Sequence, residues 1–295
     1  MRIETLTSCP SCQSPDIKKH ESIRDFYFSK QLFEIWECQN CGLRLTQNRP
    51  DKDSIGAFYD SSNYASHDSE NKSSPFLVAY KLAREFMLSQ KYRLLRDFKP
   101  EIHKSLDYGT GEGYYTEFLS KKGLNSWGIE PSVDARKNYL KRTGKELFES
   151  IEEIPEGDTF QSISLWHVLE HIHTLRETMQ NLVNRLERNG VMTIAIPNQN
   201  SIDRADFGEH WAAWDVPRHL YHWDIRSLEH FMESLDMKKV HTGQLPLDPF
   251  YIGLISAKYA GKGAVNGLLN GLKSYLHGRK NKEAGSTLLT VWMKK

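Results

Sequence analysis

From Lys104 onward the chain alternates between two patterns. Short apolar runs read as strands, and segments with apolar residues every three or four positions read as helices. "SLDYG" predicts a strand that ends in a turn, and 112–122 predicts a helix with Tyr115, Phe118 and Leu119 on one side. "SWGIE" predicts a second strand and 132–142 a second helix. "ELFE" predicts a third strand, "FQSISLWHV" a fourth and "GVMTIAIP" a fifth. The helix over 174–187 carries Leu175, Met179, Leu182, Val183 and Leu186 as one stripe, with Thr174 and Glu177 as a capping box and Gly190 near its stop. Leu228, Phe231, Met232 and Leu235 align over 227–235, and "KKVHT" and "STLLTVWMK" predict the last two strands. Alternation of this kind implies a parallel sheet with helices on both faces, an α/β domain. Ahead of it, 76–98 has roughly helical spacing, from Phe76 and Tyr80 to Leu94 and Leu95.

The N-terminal residues follow a different pattern. Cys9 and Cys12 form one Cys-x-x-Cys pair, Cys38 and Cys41 another, and the 25 residues between them include Phe26, Phe28, Phe33, Ile35 and Trp36. Two tight pairs can supply four tetrahedral thiolates, so 1–48 is expected to be a small zinc ribbon with a structural Zn2+ on Cys9, Cys12, Cys38 and Cys41. A site with four sulfur ligands has no open position for catalysis. Residues 49–100 then form a polar linker and helical lid, and 101–295 the main domain, with a glycine-rich helical insertion over about 249–278.

Composition narrows the function. The chain has 39% hydrophobic and 26% charged residues and a net charge of +1, which removes any bulk attraction to nucleic acid. The ribbon mixes Lys18, Lys19, Arg24 and Lys30 with Asp16, Glu21, Asp25, Glu34 and Glu37, so it has no basic stripe and nucleic acid is not the expected partner. Residues 1–8 lack the apolar core of a secretory signal, and no run reaches the roughly 18 apolar residues of a membrane span. With all four cysteines in metal-type pairs, the expected location is the cytoplasm.

"LDYGTGEGYYTEFL" joins the first strand of the main domain to its first helix. A dinucleotide fingerprint would need glycine where Tyr114 stands, and a phosphate loop would need Gly-Lys-Ser or Gly-Lys-Thr. Asp107, just before the turn, would repel a pyrophosphate and attract an ammonium or sulfonium group. Glu130 ends the second strand, where a carboxylate can accept both hydroxyls of a ribose. A nucleoside carrying positive charge fits, and S-adenosylmethionine is one. The alternative is a glycine turn kept for close helix–strand packing.

"LDYGTGEGYYTEFL", "WGIEPS", "SISLWHVLEHI" and "NGVMTIAIPN" together resemble the class I S-adenosylmethionine-dependent methyltransferases, in the subgroup with ubiquinone-type O-methyltransferases and sugar methyltransferases. The resemblance covers about residues 90–245 and implies a Rossmann-like, seven-stranded sheet of order 3-2-1-4-5-7-6. It implies that Asp107, Gly109 and Gly111 border the methionine end of the cofactor and that Glu130 holds the ribose. Residues 149–151 would lie near adenine, and Trp166 and His167 would face the methyl group. "YASH" resembles a pattern of the zinc-bearing members of this group, which implies that Tyr64 and His67 belong to the cofactor pocket rather than to a plain tether.

"WHVLEHIH" places His167, Glu170 and His171 on one face of a helical turn, a metal-ligand or acid–base set, or a cap that supports the site. His167 is a candidate general base. It stands where the quinone-type pattern has a glutamate, which argues against metal use. "HWAAWDVPRHLYHWD" concentrates three of the seven tryptophans and three of the twelve histidines in one loop after the fifth strand, where an acceptor enters. Trp211, Trp214, Asp215, Arg218 and His219 are expected to shape that pocket, with His219 the first base candidate among them. The alternative is a loop pinned by its tryptophans. The expected role of 249–278 is to cover the substrate cleft, with a membrane surface as the alternative. The expected function is methyl transfer from S-adenosylmethionine to a small-molecule or glycan-type acceptor, foremost at oxygen. The rival is a zinc-ribbon module that recruits RNA or protein, joined to a domain that modifies RNA or is inactive.

Overall fold

The computed structural model describes residues 1–59 and 75–295. Tyr64 and His67 lie outside the described residues. In chain order, strands β1 (Ile3–Glu4), β2 (Ile17–Arg24), β3 (Leu32–Cys38), β4 (Arg44–Gln47) and β5 (Arg49–Pro50) precede helix α1 (Pro75–Phe98). Then come β6 (Lys104–Tyr108), α2 (Tyr114–Lys121), β7 (Asn125–Ile129), α3 (Val133–Thr143), β8 (Phe160–Trp166), α4 (Leu175–Arg185) and β9 (Leu186–Pro197). The chain continues through α5 (Ile202–Phe207), β10 (Tyr221–His222), α6 (Ile225–Glu233), β11 (Met237–Gly243), α7 (Asp248–Tyr259), α8 (Ala264–Lys280) and β12 (Thr287–Lys294).

The α/β architecture expected from the alternating pattern is present. A six-stranded sheet has the order β11-β12-β9-β8-β6-β7, with β6 parallel to both β7 and β8. One expected strand is missing from it among the described residues. "ELFE" makes a single parallel bridge, Ile129 to Phe148, closed by the Phe148 N–H to Gly128 and the Glu130 N–H to Phe148. The chain then turns away into a 3-10 helix over Ile151–Glu153, with the Glu149 N–H donating to the Glu153 carboxylate at 2.7 Å. Only Leu147 of that stretch is buried, so a longer ladder would gain little apolar burial.

The chain divides into two compact units. One comprises Met1–Tyr59, His167–Gln180 and Ile194–Trp292, and the other the described parts of Asp60–Trp166, Asn181–Thr193 and Met293–Lys295. In the first, β2, β3 and β4 of the N-terminal segment form a four-stranded sheet with β10, in the order β10-β4-β3-β2. Its core joins Ile23 of β2 and Phe33 and Ile35 of β3 to Phe58, Trp211 and Trp214. In the second, Leu106, Leu119, Ile129 and Tyr139 are buried around the glycine turn.

The glycines of 249–278 do not weaken that segment; they make it possible. Gly267, Gly271, Ser274 and Gly278 are the buried residues of α8 and recur at helical spacing. A Cβ on Gly253 would sit 2.5 Å from the Gly267 carbonyl oxygen, and one on Gly271 would sit 2.8 Å from the Phe250 Cα. Helices α7 and α8 therefore pack backbone to backbone. Among the described residues no helix is long and apolar enough to cross a membrane.

Candidate active site

In the second unit the turn after β6 is built by three glycines in the left-handed region, Gly109 (φ 70°), Gly111 (φ 58°) and Gly113 (φ 73°). They serve different ends. A Cβ on Gly113 would meet the Tyr139 ring at 2.3 Å, so that glycine lets α3 approach. A Cβ on Gly111 would meet nothing within 4 Å, so its side faces open space. The N–H groups of Gly109 and Thr110 both donate to the Ile129 carbonyl, which ties the turn to the end of β7.

Two carboxylates flank this turn. Asp107 is 2% exposed, and its Oδ1 accepts from the Ser164 hydroxyl at 2.6 Å. Burial pushes its carboxyl above the ordinary range, against the pull of Ser164 and Thr110. A cationic ligand group would relieve that cost. Glu130 is half-buried and oriented by the backbone: Oε2 accepts from the Gly111 N–H at 2.8 Å and Oε1 from the Ser132 N–H at 2.9 Å. Each oxygen retains a lone pair for a further donor, such as a sugar hydroxyl. Trp166, at the end of β8, packs edge-on against Tyr115 with Lys91 Nζ 4.2 Å from its ring centroid, and its indole N–H is buried without a partner. Near the predicted adenine position, Glu149 pairs with Arg136 at 2.5 Å, and Ile151 is buried. This donor and acceptor set fits a cationic nucleoside and offers a phosphate no cradle.

His167, which follows Trp166 directly in the chain and belongs to the first unit, has φ 58°, a strained angle for a residue with a Cβ. Its Nε2 lies 2.9 Å from Asp248 Oδ2, and its Nδ1 lies 3.6 Å from Glu170 Oε1. Burial works against protonation, but Asp248 foremost and then Glu170 outweigh it and hold the group up to about 10. That balance favours the imidazolium, a hydrogen-bond donor, at neutral pH. Asp248 went unrecognised in the sequence because its partner is far away along the chain.

Glu170, His171 and His219 converge, with one ligand atom from each within 4.8 Å of the others. Glu170 is fully buried, and neither of its oxygens has a hydrogen bond. His171 Nδ1 lies 2.9 Å from the Arg218 carbonyl, and His219 Nδ1 lies 2.9 Å from the Ala213 carbonyl. A carbonyl only accepts, so both Nδ1 atoms carry a hydrogen, and in a neutral ring Nε2 is the atom with the lone pair. Burial first, then the neighbouring His219 ring, pushes His171 down to about 4, so it is neutral. The set can accept a proton or hold a divalent cation.

The loop residues divide. Trp211 and Trp214 are core: each is nearly fully buried, and their N–H groups donate to Asp203 at 2.9 Å and to the Gly208 carbonyl at 3.0 Å. Arg218 grips Asp215 with two N–H groups and donates to the Phe58 carbonyl at 3.0 Å. The tryptophans therefore pin the loop. In the N-terminal segment, the Cys9 and Cys41 sulfurs are 3.6 Å apart, Cys12 and Cys38 are 3.5 Å apart, and all four lie within 4.8 Å. A tetrahedral zinc with Zn–S bonds of about 2.3 Å sets sulfurs about 3.8 Å apart, so this spacing fits one.

A family model for the methyltransferase domain matches residues 80–242, more than half of the chain. The chain belongs to the methyltransferase domain family. The expected class I S-adenosylmethionine-dependent type is borne out by this match and the fold. The chain is 26% identical over 127 residues to the ubiquinone biosynthesis O-methyltransferase of Bradyrhizobium diazoefficiens, covering 40% of this chain and 50% of that one. It is 27% identical over 136 residues to the protein of that name from Rickettsia conorii, covering 41% and 47%. The chain thus spans about half the length of these relatives. The solved magnesium protoporphyrin IX methyltransferase (ChlM) from Synechocystis PCC 6803, with bound SAH, matches with a TM-score of 0.53 at 9% identity, over 83% of this chain and all of that one. At that identity the likeness speaks to the fold.

Proposed function

We propose that the protein transfers the methyl group of S-adenosylmethionine to an oxygen of a small-molecule or glycan-type acceptor. The observation that carries this reading is the pairing of buried Asp107 with backbone-held Glu130 around the open side of Gly111. Asp107 would take the methionine end through its ammonium, Glu130 would accept the ribose hydroxyls, and the turn would admit the cofactor where Gly111 leaves room. Bound, the cofactor supplies an activated methyl carbon on a sulfonium. A hydroxyl acceptor keeps its proton at neutral pH and needs a base as its oxygen forms the new bond. In their neutral form the Nε2 atoms of His219 and His171 would suit that task, and His167, held toward its protonated form by Asp248, would supply a positive donor beside Glu170. The acceptor's proton would pass to one of these histidines, while the sulfur would keep the electrons of the methyl bond it loses. Tyr64 and His67 remain proposed members of the cofactor pocket. A structural zinc on Cys9, Cys12, Cys38 and Cys41 completes the reading, supported by the spacing of the four sulfurs.

The test is a transfer assay with methyl-labelled S-adenosylmethionine over nucleotide sugars, quinols and RNA. Label is expected in a small hydroxylated acceptor, with transfer lost in His219→Ala. Label confined to RNA would overturn the acceptor class and favour the recruiting-module reading.

A further inference from the structure

We infer that the outer face of α8 docks on an anionic lipid bilayer. While the glycine face of this helix is buried against α7, the opposite face is apolar and exposed. Val265, Leu268, Leu269, Leu272 and Leu276 are all exposed, Val265 to 71% and Leu269 to 63%. At about 100° per residue these five positions fall within an arc of about 100°. They make one continuous stripe along a helix about 25 Å long. Leucines scattered singly over a surface need no explanation, but an aligned apolar stripe of this length marks an interaction site.

Charge identifies the occupant. Residues 249–282 contain no Asp or Glu, and they carry Lys258, Lys262, Lys273, Arg279, Lys280 and Lys282. Lys273 is tied to Asp206 at 2.6 Å. The other five are exposed, and four of them stand at the two ends of α8. The whole chain has a net charge of only +1, so this concentration is local. Two copies meeting through this face would bring cations against cations with no carboxylate from the segment to answer them. Anionic headgroups answer them directly, while the leucines enter the acyl boundary.

The experiment is co-sedimentation of the full chain with vesicles of phosphatidylcholine alone and of phosphatidylcholine mixed with phosphatidylglycerol. The protein is expected to pellet with the mixed vesicles and to be released by salt. Lys262→Gln with Lys280→Gln should weaken partitioning by about 25-fold, at about fivefold for each cation neutralised. Leu269→Asp with Leu272→Asp should abolish it. Both pairs are exposed, so binding of S-adenosylmethionine should be unchanged. Absence of binding to the mixed vesicles, or equal binding by both variants, would overturn the inference. So would a dimer in sedimentation velocity that Leu269→Asp with Leu272→Asp dissociates, without vesicle binding, which would make this a self-association face.

Discussion

Replacing Asp107 by Asn separates a ligand-binding carboxylate from a structural one. The side chain is 2% exposed, and its Oδ1 accepts from Ser164 at 2.6 Å. Asn retains an acceptor at that position and nearly the same shape, so the change removes a charge and little else. Because burial raises this carboxyl, its charged form is a cost to the folded chain that grows as pH rises through the raised value. The unliganded variant should therefore melt no lower than the wild type at pH 7. Cofactor binding should suffer, since an ammonium that loses a charge-assisted partner forfeits about 2–3 kcal/mol, or about 30- to 160-fold in Kd. Calorimetric titration should show this loss by similar factors for S-adenosylmethionine and its demethylated product, because both carry the ammonium. A lower melting temperature with unchanged Kd would refute the reasoning and make Asp107 a residue of the fold alone.

Other predictions follow from the same geometry. Gly113→Ala should cost at least about 2 kcal/mol in urea unfolding, from its left-handed φ and the Tyr139 ring 2.3 Å from the added Cβ; Gly111→Ala, with open space, should cost only the backbone part, about 1–2 kcal/mol. Protein purified without added metal should hold about one zinc by plasma mass spectrometry, and Cys38→Ser should lose it. His171, held down to about 4, is neutral in the folded chain while the unfolded chain protonates near 6.5. Stability should be intact above pH 6.5 and fall by about 3 kcal/mol as pH drops toward 4, and His171→Asn should flatten that part of the profile.

What the sequence revealed, it revealed through local patterns. The glycine turn, Asp107 and Glu130 lie within one strand–turn–helix–strand unit, so their spacing is nearly their geometry. The two Cys-x-x-Cys pairs act likewise, since each turn sets its own two sulfurs. Long-range pairing stayed hidden. His171 meets His219, and His167 meets Asp248, only through the tertiary fold, and nothing in their neighbours' pattern announces a partner. The protonation of His167 depends on that unseen partner, because the Asp248 carboxylate raises its pKa and the residue type alone does not show it. "ELFE" has strand-like composition, yet it presents one buried side chain and closes one bridge. The glycines of 249–278 weaken an isolated helix, but here they let two helices touch, a gain that exists only once both are present.

Equilibrium dialysis of the wild-type chain against labelled S-adenosylmethionine tests the central claim most directly. The account predicts saturable binding at one site per chain, displaced by the demethylated product and strongly weakened in Glu130→Ala. Retention no greater than that of the Glu130→Ala protein, or binding that the demethylated product does not displace, would contradict it.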